Sequence, residues 1–340
     1  MTERLLSVDN LKVSFATRDG DNQAVRGISF HIDKGETLGI VGESGSGKSV
    51  TARSIMSLIS SPGRITDGSI QFRGQDCLTW SEKEWRKLRG NRISMIFQDP
   101  MTSLNPLKRI GQQLTEVLRR HRGLDRQQAN NEAERLLREV GISDAKTRLR
   151  QYPHEFSGGM RQRVMIAMAL SCQPDLLIAD EPTTALDATI QAQILDLFKN
   201  LKQYSDTSIA LITHDLGVVA QVCTRVIVMY GGLIMEEGRV EDIFYRPQHP
   251  YTKGLLGSLP QRGSGSRERL VPIEGTPPNL LAPPSGCPFA ERCPQAFARC
   301  AEMPPIVETE KGHYSMCWLS HQAATADNHD LTSEGVEHNE

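Results

Sequence analysis

An α/β fold built around a parallel sheet is what this sequence predicts, and three observations predict it. Two short, unbroken apolar runs, Thr37-Leu38-Gly39-Ile40-Val41 and Leu176-Leu177-Ile178-Ala179, have the composition of strands buried on both faces. The first run opens into a glycine-rich loop and the second ends in a pair of acids, Asp180-Glu181. From residue 160 to about residue 245, apolar runs alternate with helix-compatible stretches, as a parallel sheet with crossover helices requires.

Residues 1–98 read as strand-rich, with Ala24–Ile32 and Gly68–Phe72 alternating apolar and polar positions. Within them, Gly42-Glu43-Ser44-Gly45-Ser46-Gly47-Lys48-Ser49 is a complete P-loop. Its glycines let successive N–H groups turn inward on phosphate oxygens. Lys48 is placed to reach the β- and γ-phosphates, and the Ser49 hydroxyl to ligate Mg²⁺. A helix expected from about Lys48 to Ile59 would set its positive N-terminus on the same phosphates. The loop therefore points to a nucleoside triphosphate.

Residues from about 107 to 155 change character: Ala129, Ala133, Leu136, Leu137 and Val140 recur at helical spacing among charged neighbours. This helical insert leads to Phe156-Ser157-Gly158-Gly159-Met160-Arg161-Gln162 and a helix-compatible stretch, Val164–Leu170. Ser157 can cap that helix, and the two glycines let a phosphate approach its N-terminus. One P-loop already serves one triphosphate, so a second anion site serves either a second ligand or a nucleotide bound by a partner copy. Asp180 stands where a strand-end acid holds Mg²⁺, leaving Glu181 to polarise the attacking water. His214 follows another apolar run, Ile209-Ala210-Leu211-Ile212-Thr213, and is expected to contact the γ-phosphate from that strand end.

Over 340 residues the net charge is −2, which gives no electrostatic case for nucleic-acid binding. No apolar run approaches the ~18–20 residues of a membrane span, and the first residues lack the apolar core of a signal peptide. A cytoplasmic chain that reaches a membrane only through a partner is therefore expected. After residue 246, Gln261–Gly265 reads as a polar linker, and Pro277, Pro278, Pro283 and Pro284 break regular structure. Residues 321–340 hold five acids and no Lys or Arg, and are expected to be disordered. Cys287, Cys293, Cys300 and Cys317 form a C-x5-C-x6-C-x16-C pattern that matches neither zinc-ribbon CxxC pairs nor a ferredoxin run. Spacing alone leaves metal ligation and unliganded thiols equally open.

In order along the chain, these motifs resemble the ATP-binding-cassette family. Residues 42–49 match its Walker A motif, Gln98 its Q-loop, Ser157-Gly158-Gly159 its signature, and Leu176–Asp180 with Glu181 its Walker B motif. Ala185-Leu186-Asp187 matches the D-loop and His214 the switch histidine. Phe15, 27 residues before Gly42, stands where the family stacks an aromatic ring on adenine. The stretch Gln98–Pro106, the Phe-Ser-Gly-Gly-Met-Arg-Gln form of the signature, His249-Pro250-Tyr251-Thr252 and the cysteine-bearing tail are similar to the oligopeptide/dipeptide importer ATPases. Phe156 and Met160 depart from the Leu and Gln of the broad family, a variant usual in the peptide subfamily.

The resemblance implies a P-loop NTPase cassette over residues 1–245, with an antiparallel β subdomain and a helical signature subdomain over about 99–159. A small cysteine-bearing extension would follow over 246–320, ahead of the tail at 321–340. It implies ATP held by Phe15, by the loop through Val50, by Gln98, Asp180 and Asp187, and by Ser157, Gly158 and Gly159 acting on a partner's nucleotide. Mg²⁺ would lie among Ser49, Gln98 and Asp180, with Lys48, Gln98, Glu181 and His214 as the catalytic set. The four cysteines would hold a [4Fe–4S] cluster, with zinc as the alternative. The expected partners are a second, related ATPase chain in a head-to-tail dimer, two membrane permeases seated near Gln98–Pro106, and indirectly an extracytoplasmic peptide-binding protein. The chain would then sit peripherally on the cytoplasmic face of the cell membrane and power import of di- or oligopeptides. Glutathione or nickel importers share much of this ATPase, and a soluble cassette acting on nucleic acid is the more distant alternative.

Overall fold

The computed structural model describes residues 3–99, 103–184, 188–204, 206–258 and 272–321. Two sheets organise it. The smaller is antiparallel, in the order β2-β1-β4-β5, formed by β1 (Arg4–Thr17), β2 (Gly20–Asp33), β4 (Gly63–Phe72) and β5 (Gln75–Asp76). The alternation at Ala24–Ile32 and Gly68–Phe72 thus lies in two of its strands.

The larger sheet runs β11-β12-β10-β9-β3-β8-β7-β6. Its parallel part comprises β6 (Ile93–Ile96), β7 (Leu176–Asp180), β8 (Ser208–Ile212), β3 (Thr37–Val41) and β9 (Arg225–Tyr230). Every residue of β3, β6, β7 and β8 is buried, which is why these strands read as continuous apolar runs. One face packs Leu38, Ile40, Ile178 and Ile212 against the antiparallel sheet and α1 (Lys48–Ile55). The other packs Leu177, Ala179 and Leu211 against three helices: α6 (Gly158–Leu170), α7 (Ala188–Tyr204) and α8 (Leu216–Val222). Helix α1 ends at Ile55, short of the expected Ile59. At Ser57 φ is +50°, which turns the chain, while Leu58 and Ile59 still pack on the same core.

Between β6 and α6 lies the helical insert, with α3 (Ile110–Arg122), α4 (Arg126–Glu139) and α5 (Ala145–Arg148); α2 (Glu82–Leu88) precedes β6. Ala129, Ala133, Leu136 and Leu137 form the buried stripe of α4, as their spacing predicts. They close a core with Leu114, Leu118 and Phe156 that is distinct from those on either side of the main sheet.

The region beyond residue 246 does not stand apart from the cassette. Strands β11 (Val307–Glu310) and β12 (His313–Ser315) extend the main sheet, β12 pairing with β10 (Leu233–Arg239). These strands were not legible in the sequence, being three or four residues long and partly charged. What seats them is a buried polar knot. Glu236, on β10, accepts from His313 Nε2 at 2.7 Å and from the N–H groups of Gln248 and His249 at 2.7 and 2.9 Å. A fully buried carboxylate so satisfied leaves little freedom in register. The linker at 261–265 and the tail beyond His321 lie outside the described residues.

Candidate nucleotide site

β3 brings the chain to the P-loop at the carboxyl end of the parallel sheet, beside the ends of β8 and β7. Ligands in open α/β sheets bind at that edge. Two glycines are sterically required there. A Cβ on Gly42 (φ +147°) would fall 2.1 Å from the Met229 carbonyl oxygen, and one on Gly47 (φ +101°) 2.6 Å from that of Ala24. Gly47 is also the residue from which α1 starts. Lys48 Nζ donates to the carbonyl oxygens of Gly42 and Glu43 at 2.7 and 2.8 Å and to Ser46 Oγ at 3.3 Å. Burial lowers its pKa, and the charges of Glu181, Asp180 and Glu43 oppose that shift.

Asp180 closes β7 with a buried side chain, and Ser49 Oγ donates to its Oδ1 at 2.9 Å across 131 residues of sequence. Burial raises the Asp180 pKa, against the Ser49 hydrogen bond and the charge of Arg53. A hydroxyl and a carboxylate facing each other beside a lysine are a donor set that suits Mg²⁺. The next residue, Glu181, is half-buried and has the left-handed φ of +49°. Its N–H donates to the Ile212 carbonyl at 2.8 Å, which fixes it to the neighbouring strand end. Gln98 Nε2 and Thr184 Oγ1 each donate to Glu181 Oε2 at 2.9 Å, and His214 Nδ1 lies 3.4 Å from Oε1. Gln98, Glu181 and His214, widely separated in sequence, therefore meet at one carboxylate. Thr184 completes the group; nothing marked it beforehand except its place three residues after Glu181.

Ser157 caps α6, its side chain accepting from the Met160 N–H at 3.3 Å. Ser157 and Gly158 are exposed, and Gly159 lies against Ile190 of α7. Phe156 is buried in the core of the insert with Met160 packed beside it, so both departures from the usual signature serve packing. From the same helix, Gln162 Nε2 donates to the Pro182 carbonyl at 2.7 Å, tying the signature to the chain just past Glu181. Phe15 lies half-buried in β1, its ring over Gly63 and packed on the core that Val50 also joins. Ala185, Leu186 and Asp187 lie outside the described residues, as do Pro100, Met101 and Thr102.

Cys287, Cys293, Cys300 and Cys317 line one small cavity, walled also by Phe289 and Trp318. Burial pushes the Cys287 thiol up to about 11 and raises those of Cys293 and Cys317. Among the described residues, no group of three or more His, Cys, Asp or Glu side chains is gathered closely enough to hold a metal ion. The expected metal centre is therefore not seen among the described residues, although the four thiols face one cavity. Packing with Tyr251, Phe289 and Met316 sets where Cys287, Cys293 and Cys300 sit. Two further residues reach the P-loop without having been expected at the site: Tyr251, singled out in the sequence only as part of His249-Pro250-Tyr251-Thr252, whose hydroxyl accepts from the Glu43 N–H at 2.9 Å, and Arg292, which pairs with the Glu43 carboxylate.

A sequence profile for ABC transporters matches residues 25–184, and one for the oligopeptide/dipeptide transporter C-terminal region matches residues 235–300. The chain is 57% identical over 324 residues to the dipeptide transport ATP-binding protein DppD of Bacillus subtilis, covering 95% of this chain and 96% of that one. It is 54% identical over 314 residues to the oligopeptide transport ATP-binding protein OppD of Salmonella typhimurium, covering 92% and 93%. Among solved structures, a dimeric ATP-binding cassette in a post-hydrolysis state with ADP and phosphate superimposes with a TM-score of 0.63. It is 26% identical, and the match covers 69% of this chain and 98% of that one. An ABC transporter subunit of Clostridium perfringens matches with a TM-score of 0.60 at 26% identity, covering 72% and 92%.

Proposed function

This chain belongs to the ABC transporter family, and from that premise we propose that it is the ATP-hydrolysing subunit that powers import of di- or oligopeptides through partner permeases. The observation that carries the reading is the meeting of Gln98, His214 and Thr184 on Glu181, beside Ser49, Asp180 and Lys48. The P-loop through Val50 binds the triphosphate, Phe15 takes the adenine, and Lys48 exchanges its carbonyl partners for phosphate oxygens. Ser49, Asp180 and Gln98 would hold Mg²⁺, which would neutralise the developing charge. Glu181 orients and polarises the attacking water, while Gln98 and His214 register the γ-phosphate from two neighbouring elements.

Exposed Ser157 and Gly158, with Gly159, form the second phosphate grip and act on the nucleotide of a related partner ATPase in a head-to-tail dimer. Asp187, which lies outside the described residues, is assigned to nucleotide binding by its D-loop motif alone. The dimeric state of the post-hydrolysis cassette, a structural relative, supports this arrangement. Two permeases dock near Gln98–Pro106, beside the strongly exposed Leu107, and place the chain on the cytoplasmic face of the membrane. The described residues contain no helix long and apolar enough to cross it. An extracytoplasmic peptide-binding protein delivers the solute to those permeases.

The test is Glu181→Gln in the assembled transporter. ATP binding is retained while turnover falls ~10²–10⁴-fold, as expected for a lost general base. Turnover at the wild-type rate would remove Glu181 from the role.

The four cysteines are proposed to hold a [4Fe–4S] cluster. The support is their common cavity and the match of the C-terminal profile across Cys287, Cys293 and Cys300. Anaerobically purified protein is expected to contain about four irons and four acid-labile sulfides per chain; one zinc without iron would overturn this.

A further inference from the structure

Arg292 immediately precedes Cys293, yet its guanidinium lies against the P-loop. Nη1 donates to Glu43 Oε2 at 2.7 Å and Nη2 to Oε1 at 3.1 Å, a bidentate pair across 249 residues of sequence. The remaining donors are engaged as well: Nη1 also meets Tyr230 Oη at 3.1 Å, Nε the Glu274 carbonyl at 2.8 Å and Nη2 the Ile273 carbonyl at 3.1 Å. Only 6% of the Arg292 side chain is exposed, against 25% for Glu43. Tyr251, fully buried between Tyr230 and Phe289, holds the Glu43 N–H. Glu43 is thus fixed at its main chain and at its carboxylate by residues beyond position 250, while its carbonyl accepts from Lys48.

A carboxylate within a loop that must receive a polyphosphate opposes its ligand. A planar, permanently charged fork both cancels that charge and sets the direction of the side chain. We propose that Arg292 is a positioning residue for nucleotide binding: by neutralising and fixing Glu43 it keeps the P-loop receptive to a triphosphate. The cysteine-bearing extension thereby completes the nucleotide site. This rests on the nucleotide reading of the P-loop, which Lys48→Ala tests separately. Nucleotide binding by wild-type that is lost in Lys48→Ala upholds the reading. A wild-type chain that binds no nucleotide would overturn the reading and this inference with it.

The experiment measures the dissociation constant of a fluorescent ATP analogue on the full chain. Arg292→Ala is expected to weaken it ~5–50-fold, within the usual range of coupling between two sites. Arg292→Gln, which keeps hydrogen bonding and bulk without charge, should weaken it comparably and serves where the alanine variant folds poorly. The deciding measurement adds Glu43→Gln to either variant. Removing the unpaired carboxylate restores most of the affinity if charge on the loop is what Arg292 controls. A double variant that binds as weakly as the single one would reduce Arg292 to a structural brace. So would an unchanged dissociation constant accompanied only by a lower unfolding temperature.

Discussion

Glu181 keeps its place at a backbone cost of order 1–3 kcal/mol, since its φ of +49° is one that side-chain-bearing residues rarely adopt. Its N–H bond to Ile212 and three side-chain partners maintain that conformation, so the strain serves to aim one carboxylate. His249 shows a different kind of local tension. It is buried with its Nδ1 accepting from the Tyr251 N–H at 3.0 Å, and burial drives its pKa down to about 4. The charge of Glu236 and a backbone contact at Met316 oppose the shift, whereas Lys253 adds to it. An unfolded chain protonates this histidine near 6.5, so its contribution to stability is complete above that pH. It declines as pH falls towards 4 and levels off below, a change of about 3 kcal/mol from this group. Urea midpoints measured between pH 7 and 4 should fall accordingly, and His249→Asn should flatten that part of the slope. The nucleotide loop was legible in the sequence because its eight residues act on one another locally. The contacts of Arg292 and Tyr251 with Glu43 were not, because no local pattern connects residues 249 and 208 apart, even though Tyr251 stood within a motif.

The helical insert shows how much an element's own periodicity can say. Ala129, Ala133, Leu136 and Leu137 bury as predicted because helical spacing is written within two or three turns. The start of α4 is equally local: Asp125 accepts from the Gln128 N–H at 2.8 Å while Gln128 answers to the Asp125 N–H at 3.1 Å. Asp125→Ala is expected to cost about 1 kcal/mol. Faster amide exchange should appear in α3 and α4 with little change in the main sheet, because the insert has its own core. Equal acceleration throughout would show that the insert and sheet open as one unit. The misjudged end of α1 has the opposite lesson. Leu58 and Ile59 continue an apolar pattern, but they reach the core after a turn at Ser57 rather than along the helix.

Across the whole molecule, strand order does what sequence order conceals. β3, β8 and β7 lie side by side although β3 is separated from the other two by well over a hundred residues, and only that adjacency brings Lys48, Asp180 and Glu181 to one edge of the sheet. The alternation of strands and helices predicted a parallel sheet, and the sheet's carboxyl edge follows from it. The antiparallel addition of β12 and β11 at the far edge depends on Glu236 meeting His313 and escaped any pattern in the sequence. The clasp of Arg292 on Glu43 carries this dependence on distance into time. At ~5–20 residues per second a ribosome needs about 12–50 s to travel the 249 residues between them. Throughout that interval a nascent chain has made its phosphate loop but not the arginine that steadies it. Residue 43 of the phosphate loop is thus made long before the arginine that pairs with it.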